Sequence, residues 1–195
     1  LHIVGGEEYE KIKQLIWRYR HSEQQVFPIL RLGRPLLHYT GLNNMPDDYG
    51  KIIADWRAQL EPKDASEAVV IMGHGGVHPG NTAYAAFQMK LAEAGLDRTF
   101  IYTVEGFPSL AYVIKKLQAA KIQKVSLKPF LLTSGDHVHE DMAGEDESST
   151  KNQLMNAGFS VSVSFAGLGS YETIQQLYVE HVQDMIDCAA HCRLR

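Results

Sequence analysis

From about residue 68 onward, short apolar runs alternate with segments whose apolar residues recur every three to four positions. The runs predict strands at 68–72, 99–104, 124–132 and 159–165. Helical spacing follows each run, at 81–94, 109–120, 145–157 and 171–188. Strands that alternate with helices are typical of βαβ units. The pattern therefore predicts an α/β fold in which a parallel sheet is flanked by helices.

The first sixty residues show a weaker form of the same pattern. Residues 1–4 resemble the end of a strand, and the pattern after them predicts helices at 7–21 and 46–60, a strand at 26–32 and a loop at 36–44. A polar stretch that contains Pro62 then separates these elements from the regular alternation. We therefore predict two domains, residues 1–62 and residues 63–195.

Composition and charge exclude some classes of function. The 195 residues carry a formal net charge of -4, whereas a general nucleic-acid binder needs a basic face. No run of 18 apolar residues occurs, so no membrane span is expected. We expect a cytoplasmic protein; an export signal ahead of Leu1 is the open alternative, because the chain opens without a Met or a signal-peptide pattern.

Cysteine usage adds little. Cys188 and Cys192 lie near the end of the chain and do not form a disulfide framework. With His191 they could hold a stray metal ion, although a frayed terminal helix is the simpler interpretation.

The strongest candidate for chemistry is His74, which follows the buried run of the first strand and has a glycine on each side. Open α/β sheets bind ligands at the carboxyl ends of their strands. His74 is therefore a candidate catalytic or metal-binding imidazole. A turn histidine that caps the entrance of the next helix is an equally good interpretation of this stretch alone.

Two further strand ends carry polar groups beside glycines. Glu105 follows the second strand, and Asp136 and His137 follow the third. Because carboxyl ends of parallel strands share one sheet edge, His74, Glu105 and His137 are predicted to converge there. Two imidazoles and a carboxylate suit a divalent metal with open coordination positions, and they also suit acid-base chemistry.

Each of these residues has a local alternative. Glu105 could be a cap partner or an exposed turn acid, and Asp136 with His137 could form an Asx turn. Their joint occurrence at three strand ends favours a shared site. His78, His139 and Asp136 are second-rank candidates.

Other chemistries find no support. The chain has no Gly-x-Gly-x-x-Gly after a strand, no P-loop and no Gly-x-Ser-x-Gly elbow. A nucleotide cofactor or a serine nucleophile is therefore not expected.

Four stretches carry a family resemblance: Met72-Gly-His-Gly, Thr103-Val-Glu-Gly-Phe-Pro, Gly135-Asp-His-Val-His-Glu-Asp-Met-Ala-Gly-Glu, and Leu177-Tyr-Val-Glu-His. With them the sequence resembles the anaerobic cobalt chelatases of the CbiK type, class II chelatases that insert cobalt into sirohydrochlorin during vitamin B12 synthesis. The resemblance implies two similar α/β lobes, each with a parallel sheet flanked by helices, and the tetrapyrrole in the cleft between them. It also implies that the amino-terminal lobe is incomplete in this chain.

The resemblance further implies roles for the site residues. His74, Glu105 and His137 would be the metal ligands, with His74 and His137 as the catalytic pair that accepts protons. The metal would be the substrate, Co²⁺ or Fe²⁺, with no nucleotide or redox cofactor. The partner would be a sirohydrochlorin-type tetrapyrrole, whose carboxylates could meet Lys128, Arg31 or Arg34.

Some alternatives stay open. No nucleic acid or membrane is expected as a partner, and self-association into a homo-oligomer is open. A sirohydrochlorin ferrochelatase for sirohaem is the alternative reaction. A non-catalytic carrier of metal or tetrapyrrole, or a structural α/β domain with incidental histidines, would bring no catalysis at all.

Overall fold

The computed structural model describes residues 2–23, 27 and 29–191, the last four of these by backbone only. Within them lie the helices α1 (Glu7–Arg20), α2 (Asp48–Asp55), α3 (Arg57–Leu60), α4 (Thr82–Glu93), α5 (Leu110–Ala119), α6 (Thr150–Asn156) and α7 (Glu172–His191). The strands are β1 (Glu67–Gly75), β2 (Thr99–Glu105), β3 (Lys124–Pro129) and β4 (Ser160–Val163). A π-helical turn, His137–Met142, lies between β3 and α6.

The four strands form one parallel sheet in the order β2-β1-β3-β4. In β1 every residue from Glu67 to Gly73 is buried. A central strand covered on both faces needs apolar side chains in succession, which explains the unbroken apolar run in its sequence. The prediction of an α/β fold with a helix-flanked parallel sheet is confirmed.

Alternate side chains of β1 serve two separate apolar layers, because neighbouring residues of a strand face opposite sides of the sheet. Val69 and Ile71 pack with α2, α4 and α7. Val70 and Met72 pack with α5, α6 and the π-helical turn. The face that a residue occupies near the end of β1 therefore decides which elements it meets.

The amino-terminal segment packs onto the first of these layers. Ile52, Trp56 and Leu60 from α2 and α3 lie in one apolar cluster with Val69 and Ile71. Segments on both sides of the proposed boundary at residue 62 thus share a core. The division into two domains and the incomplete amino-terminal lobe stay predictions.

The start of the chain forms a single bridge of strand type. Val4 pairs in parallel with Leu37, and the Leu37 N–H donates to the Ile3 carbonyl at 2.7 Å. The opening segment thus has the strand character that its sequence predicts. Its partner lies at the beginning of the stretch predicted as a loop.

The predicted strand at 26–32 is wrong where it can be judged. Residues 29–32 have no strand pairing, and positions 26 and 28 lie outside the described residues. This segment is held by side-chain contact instead, since Arg31 donates to the Met185 carbonyl of α7 at 2.9 Å. Apolar side chains alone do not make a strand without a neighbouring backbone to pair with.

Two helix boundaries also differ from the sequence pattern. The helix predicted at 145–157 begins only at Thr150, because the Ser149 side chain caps it by accepting the Asn152 N–H. The last helix runs to His191. The side chains of Cys188 and His191, and all of Cys192, lie outside the described residues, so the stray metal site there stays a prediction.

Candidate metal centre

The strand order creates a topological switch point between β1 and β3. The chain passes from β1 to β2 through α4 on one face of the sheet, and from β2 to β3 through α5 on the other. Connections that leave in opposite directions open a crevice at the carboxyl ends of the two strands. His74 is the second-last residue of β1, and His137 begins the π-helical turn after β3.

The end of β1 is shaped by two glycines. A Cβ at Gly73 would lie 2.6 Å from the Tyr84 ring, and a Cβ at Gly75 would lie 2.0 Å from the Glu105 carbonyl oxygen. Gly75 also has φ +88°, a conformation that other residues rarely adopt. Because neither side chain is present, β1 extends to Gly75 in register with Glu105, past its predicted end at residue 72.

Tyr84 supports this strand end from below. It is buried in α4, its ring lies against Gly73, and the backbone N–H groups of Gly75 and His74 oppose part of the effect of burial on its pKa. Burial raises the pKa of Tyr84 to about 12, so the hydroxyl stays protonated at neutral pH. Tyr84 therefore fixes the backbone from which the His74 imidazole projects.

The π-helical turn is anchored by an apolar pair. Val138 and Met142 are fully buried in the layer that also contains Met72. Because Val138 and Met142 face the core, the adjacent face of the turn carries His137 and Asp141, which are also four residues apart. π-Helical turns occur frequently at functional sites.

His74 and His137 meet at the switch point. Their Nε2 atoms lie 3.0 Å apart, and the ring planes are inclined by 81°. The strand alternation explains the meeting, because His74 follows Met72 by two residues and so continues the face on which the π-helical turn packs. The predicted convergence of these two imidazoles is present in the structure.

The other nitrogen of each ring faces an oxygen. His74 Nδ1 lies 3.2 Å from the Gly75 carbonyl oxygen, and His137 Nδ1 lies 2.5 Å from Asp141 Oδ2. Oxygen acceptors at these positions favour the tautomer with the hydrogen on Nδ1, more strongly at His137, whose acceptor is a carboxylate. Both Nε2 lone pairs are then directed at the same point between the rings.

Two lone pairs 3.0 Å apart repel each other unless a proton or a cation lies between them. Nitrogen ligands about 2.1 Å from one metal ion and about 90° apart are separated by about 3.0 Å, whereas tetrahedral ligands are separated by about 3.4 Å. The observed spacing is that of an ordinary N–H···N hydrogen bond through a shared proton, and it also fits two adjacent ligands of an octahedral cation.

Glu105 lies at the end of the neighbouring strand β2, on the opposite face of the sheet from the imidazole pair. It is opposite Gly75 in the register of β1 and β2, and it follows Ile101 and Thr103 on the sheet face turned away from Met72. Among the described residues, no three His, Cys, Asp or Glu side chains are grouped closely enough to hold a metal ion. The structure thus brings together two of the three predicted ligands, and the role of Glu105 stays a prediction.

The second-rank residues have other surroundings. His78 Nδ1 accepts the Gly80 N–H at 3.0 Å and caps the turn before α4. The His139 ring is stacked on Phe165, with centroids 5.3 Å apart. Asp136 is exposed at the start of the π-helical turn, where its side chain makes no capping hydrogen bond. No contact of these three with the imidazole pair is seen in the described part of the chain.

Asp141 is the site residue that sequence reasoning missed. It lies between the strand predicted at 124–132 and the helix predicted at 145–157, where the sequence pattern assigned no element. The spacing of four residues from His137 would have indicated it, had a helical turn been predicted after the third strand.

The cations considered for substrate carboxylates are engaged elsewhere. Arg34 pairs with the buried Asp48 at 3.1 Å. Lys128 Nζ donates to the Gln59 carbonyl at 2.7 Å, and Arg31 holds α7 as described above. These three side chains contribute to packing between segments.

Known proteins were compared with the whole chain. The family model described as cobalt chelatase (CbiK) matches residues 1–187. A sirohydrochlorin cobaltochelatase of Salmonella typhimurium is 31% identical over 189 residues, which cover 97% of this chain and 67% of the relative. A sirohydrochlorin cobaltochelatase of Nitratidesulfovibrio vulgaris is 30% identical over 182 residues, which cover 93% of this chain and 62% of the relative. The chain thus spans about two thirds of the length of these curated relatives.

A solved structure gives a weaker match. A multi-domain protein of Deinococcus radiodurans, described as structurally similar to chelatases, aligns with a TM-score of 0.45 at 17% identity. The alignment covers 75% of this chain and 30% of that protein. A TM-score this low does not support an inference about fold or function.

In the described residues, no helix has the length and apolar character needed to cross a membrane.

Proposed function

Because the chain belongs to the CbiK family of cobalt chelatases, we propose that it inserts Co²⁺ into a sirohydrochlorin-type tetrapyrrole in the anaerobic route to cobalamin. The names of the two curated relatives support the substrate. The observation that carries the proposal is the pair of facing Nε2 atoms of His74 and His137, 3.0 Å apart at the switch point of the sheet.

A pair of ligands suits an ion that must be given away. Structural metal sites surround the ion with four protein ligands, whereas two imidazoles leave about four positions of an octahedral ion for water and for pyrrole nitrogens. His74 is exposed and His137 is partly exposed, so a large substrate can reach the ion. The macrocycle then replaces water first and the imidazoles last.

Metal insertion also displaces two protons from the pyrrole nitrogens. As the ion moves into the ring, the Nε2 lone pairs of His74 and His137 become free. Two lone pairs can take up the two protons, so the ligands of the ion become the bases of the same reaction. The carboxylate of Glu105, at the end of the neighbouring strand, would balance the positive charge that results.

Exposed apolar side chains follow three of the four strands at this edge of the sheet, and we name these three residues the apolar rim. Val77 after β1, Phe107 after β2 and Phe165 after β4 expose 100%, 61% and 47% of their surface. The flat face of a macrocycle is apolar, and binding sites for such ligands combine apolar walls with a few directed polar groups. We assign the rim to the macrocycle face and the imidazole pair to its centre.

A groove of about 610 Å³ lies beside the π-helical turn. Its lining includes Glu140, Glu145 and Asp146, together with the stacked rings of His139 and Phe165. Like charges along a concave wall raise the local concentration of counter-ions. We assign Glu145 and Asp146, which lie beyond the π-helical turn, to the approach of the divalent cation.

The test is an anaerobic assay in which the purified chain is mixed with Co²⁺ and sirohydrochlorin, and metal insertion is monitored by absorbance. The variants are His74→Ala and His137→Ala, and the control is His21→Ala, an exposed histidine in the first helical segment. Removal of the residue that hydrogen-bonds to a metal ligand typically reduces metal affinity or activity by about 10- to 100-fold. Loss of either ligand should therefore reduce insertion by at least about 100-fold, while the control stays within about twofold.

Three results would contradict the proposal. Wild-type insertion by either ligand variant would remove the imidazole pair as the metal site. Binding of Co²⁺ or tetrapyrrole without any spectral change of insertion would indicate a carrier. Preferential insertion of Fe²⁺ in a parallel assay would indicate a ferrochelatase, because imidazole ligands suit both ions.

A further inference from the structure

We propose that Asp141 is a positioning residue of the metal centre: by accepting the Nδ1 hydrogen of His137, it makes His137 Nε2 the atom that binds the ion. The inference rests on the proposed function only in taking His137 as a ligand. It assigns a role to a side chain that contacts neither the metal nor the tetrapyrrole.

The contact between Asp141 and His137 is short and directed. Asp141 Oδ2 lies 2.5 Å from His137 Nδ1, on the ring side opposite to His74. In the part of the chain that the structure describes, the Asp141 carboxylate accepts no other hydrogen bond. A carboxylate acceptor at this distance forms a charge-assisted hydrogen bond, which is stronger than one to a neutral oxygen.

The two histidines differ in how their tautomers are held. His74 Nδ1 faces the carbonyl oxygen of Gly75 at 3.2 Å, which is neutral and more distant than the carboxylate. That carbonyl belongs to the backbone, so no substitution removes it. His137 depends on a side chain, and its orientation can therefore be tested by a single replacement.

A neutral imidazole without the carboxylate would be free to exchange tautomers. With the hydrogen on Nε2, His137 would offer no lone pair to the ion and would face His74 with its N–H. Metal binding would then first require a change of tautomer or a turn of the ring. Outer partners of metal-bound histidines commonly contribute about 10- to 100-fold to metal affinity for this reason.

A loss of Co²⁺ affinity on removal of Asp141 could also result from the loss of a negative charge near the site. The chain offers a matched control for this explanation. Glu140 is the neighbouring acid of the same π-helical turn and is likewise exposed. Its carboxylate accepts no hydrogen bond from His137. Glu140→Gln thus removes one negative charge from the turn while the contact of Asp141 remains.

The first measurement is the tautomer of His137 in the metal-free chain. Long-range ¹H–¹⁵N spectra, recorded where both imidazoles are neutral, distinguish Nδ1–H from Nε2–H. We expect Nδ1–H in the wild type and in Glu140→Gln, and a mixture or Nε2–H in Asp141→Ala. Asp141→Asn keeps an acceptor oxygen and should lie between them.

The second measurement is the affinity for Co²⁺ alone, by titration without tetrapyrrole. Asp141→Ala should bind Co²⁺ about 10- to 100-fold more weakly, and Glu140→Gln within about threefold of the wild type. Thermal unfolding should barely change, since exposed ion pairs contribute little to stability. If Asp141→Ala does not fold, Asp141→Asn carries the same comparison.

An unchanged tautomer and unchanged Co²⁺ affinity in Asp141→Ala would overturn the inference, as would an equal loss of affinity in Glu140→Gln. These outcomes are separable from failure of the proposed function. If the wild type binds Co²⁺ but inserts none, the function fails while the tautomer result stands. If the wild type inserts Co²⁺ and Asp141→Ala keeps its tautomer, the function stands and the positioning role is lost.

Discussion

Replacing Gly75 with alanine tests the close approach of β1 and β2 beneath the candidate metal centre. The new Cβ would lie 2.0 Å from the Glu105 carbonyl oxygen and 2.7 Å from the Thr103 Cβ. Both neighbours belong to β2, and neither is the flexible end of a long side chain. The two strands would have to separate at the point where β1 delivers His74.

Two terms set the size of the effect. An L-residue in the left-handed region, where Gly75 has φ +88°, costs about 1–2 kcal/mol. Overpacking of a close contact costs a further 1–3 kcal/mol or so. The free energy of unfolding should therefore fall by about 2–5 kcal/mol. Co²⁺ affinity should fall too, because His74 loses its alignment with His137.

Gly95→Ala is the control, since Gly95 has φ +76° but no atom within 4 Å of the added Cβ. It should lose only about 1–2 kcal/mol and keep its Co²⁺ affinity. Urea unfolding of both variants, with Co²⁺ titration, measures the difference. If the two losses of stability agree within about 0.5 kcal/mol, the close approach at Gly75 has no energetic weight and the reasoning is refuted.

Other variants test the supports of the fold. Tyr84→Phe should lower stability by about 0.5–1.5 kcal/mol and weaken Co²⁺ binding, because a buried hydroxyl close to the backbone of His74 and Gly75 is lost; unchanged Co²⁺ titration would contradict this. Arg34→Ala should lower stability by about 1.5–3 kcal/mol in urea unfolding, since the buried carboxylate of Asp48 loses the guanidinium that donates to it; a loss below about 0.5 kcal/mol would contradict it. Burial alone would raise the pKa of Asp48, but hydrogen bonds from a histidine of α7, from Arg34 and from a backbone N–H outweigh burial and lower it. This stabilisation is present above about pH 4 and is lost as the pH falls through the lowered pKa, so the stability gap between wild type and Asp48→Asn should narrow in acid.

Much of the fold follows from local pattern. The apolar run before His74 predicts a central buried strand, because a strand covered on both faces cannot alternate with polar residues. The regular return of helical spacing predicts the parallel sheet. The stretch at 29–32 has the same local character but pairs with nothing, because strand pairing needs a second backbone at the right distance.

In the candidate site, too, local sequence predicts part of the arrangement and tertiary packing decides the rest. The glycines beside His74 and the polar residues after the third strand point to one sheet edge from sequence alone, since parallel strands end on the same side. Which of them meet depends on side-chain direction. His74 continues the face of Met72, whereas Glu105 follows the opposite face, and only the register of the strands reveals this difference.

By itself, the sequence determined the α/β architecture, the edge of the sheet that carries the candidate site, and the two imidazoles at that edge. These follow from residue spacing and from the direction of parallel strands. Only the tertiary structure decided that the imidazoles face each other at 3.0 Å, that Asp141 contacts one of them, and that Gly75 is required by the neighbouring strand. Distances between atoms on separate elements depend on packing, and packing cannot be inferred from the local order of residues.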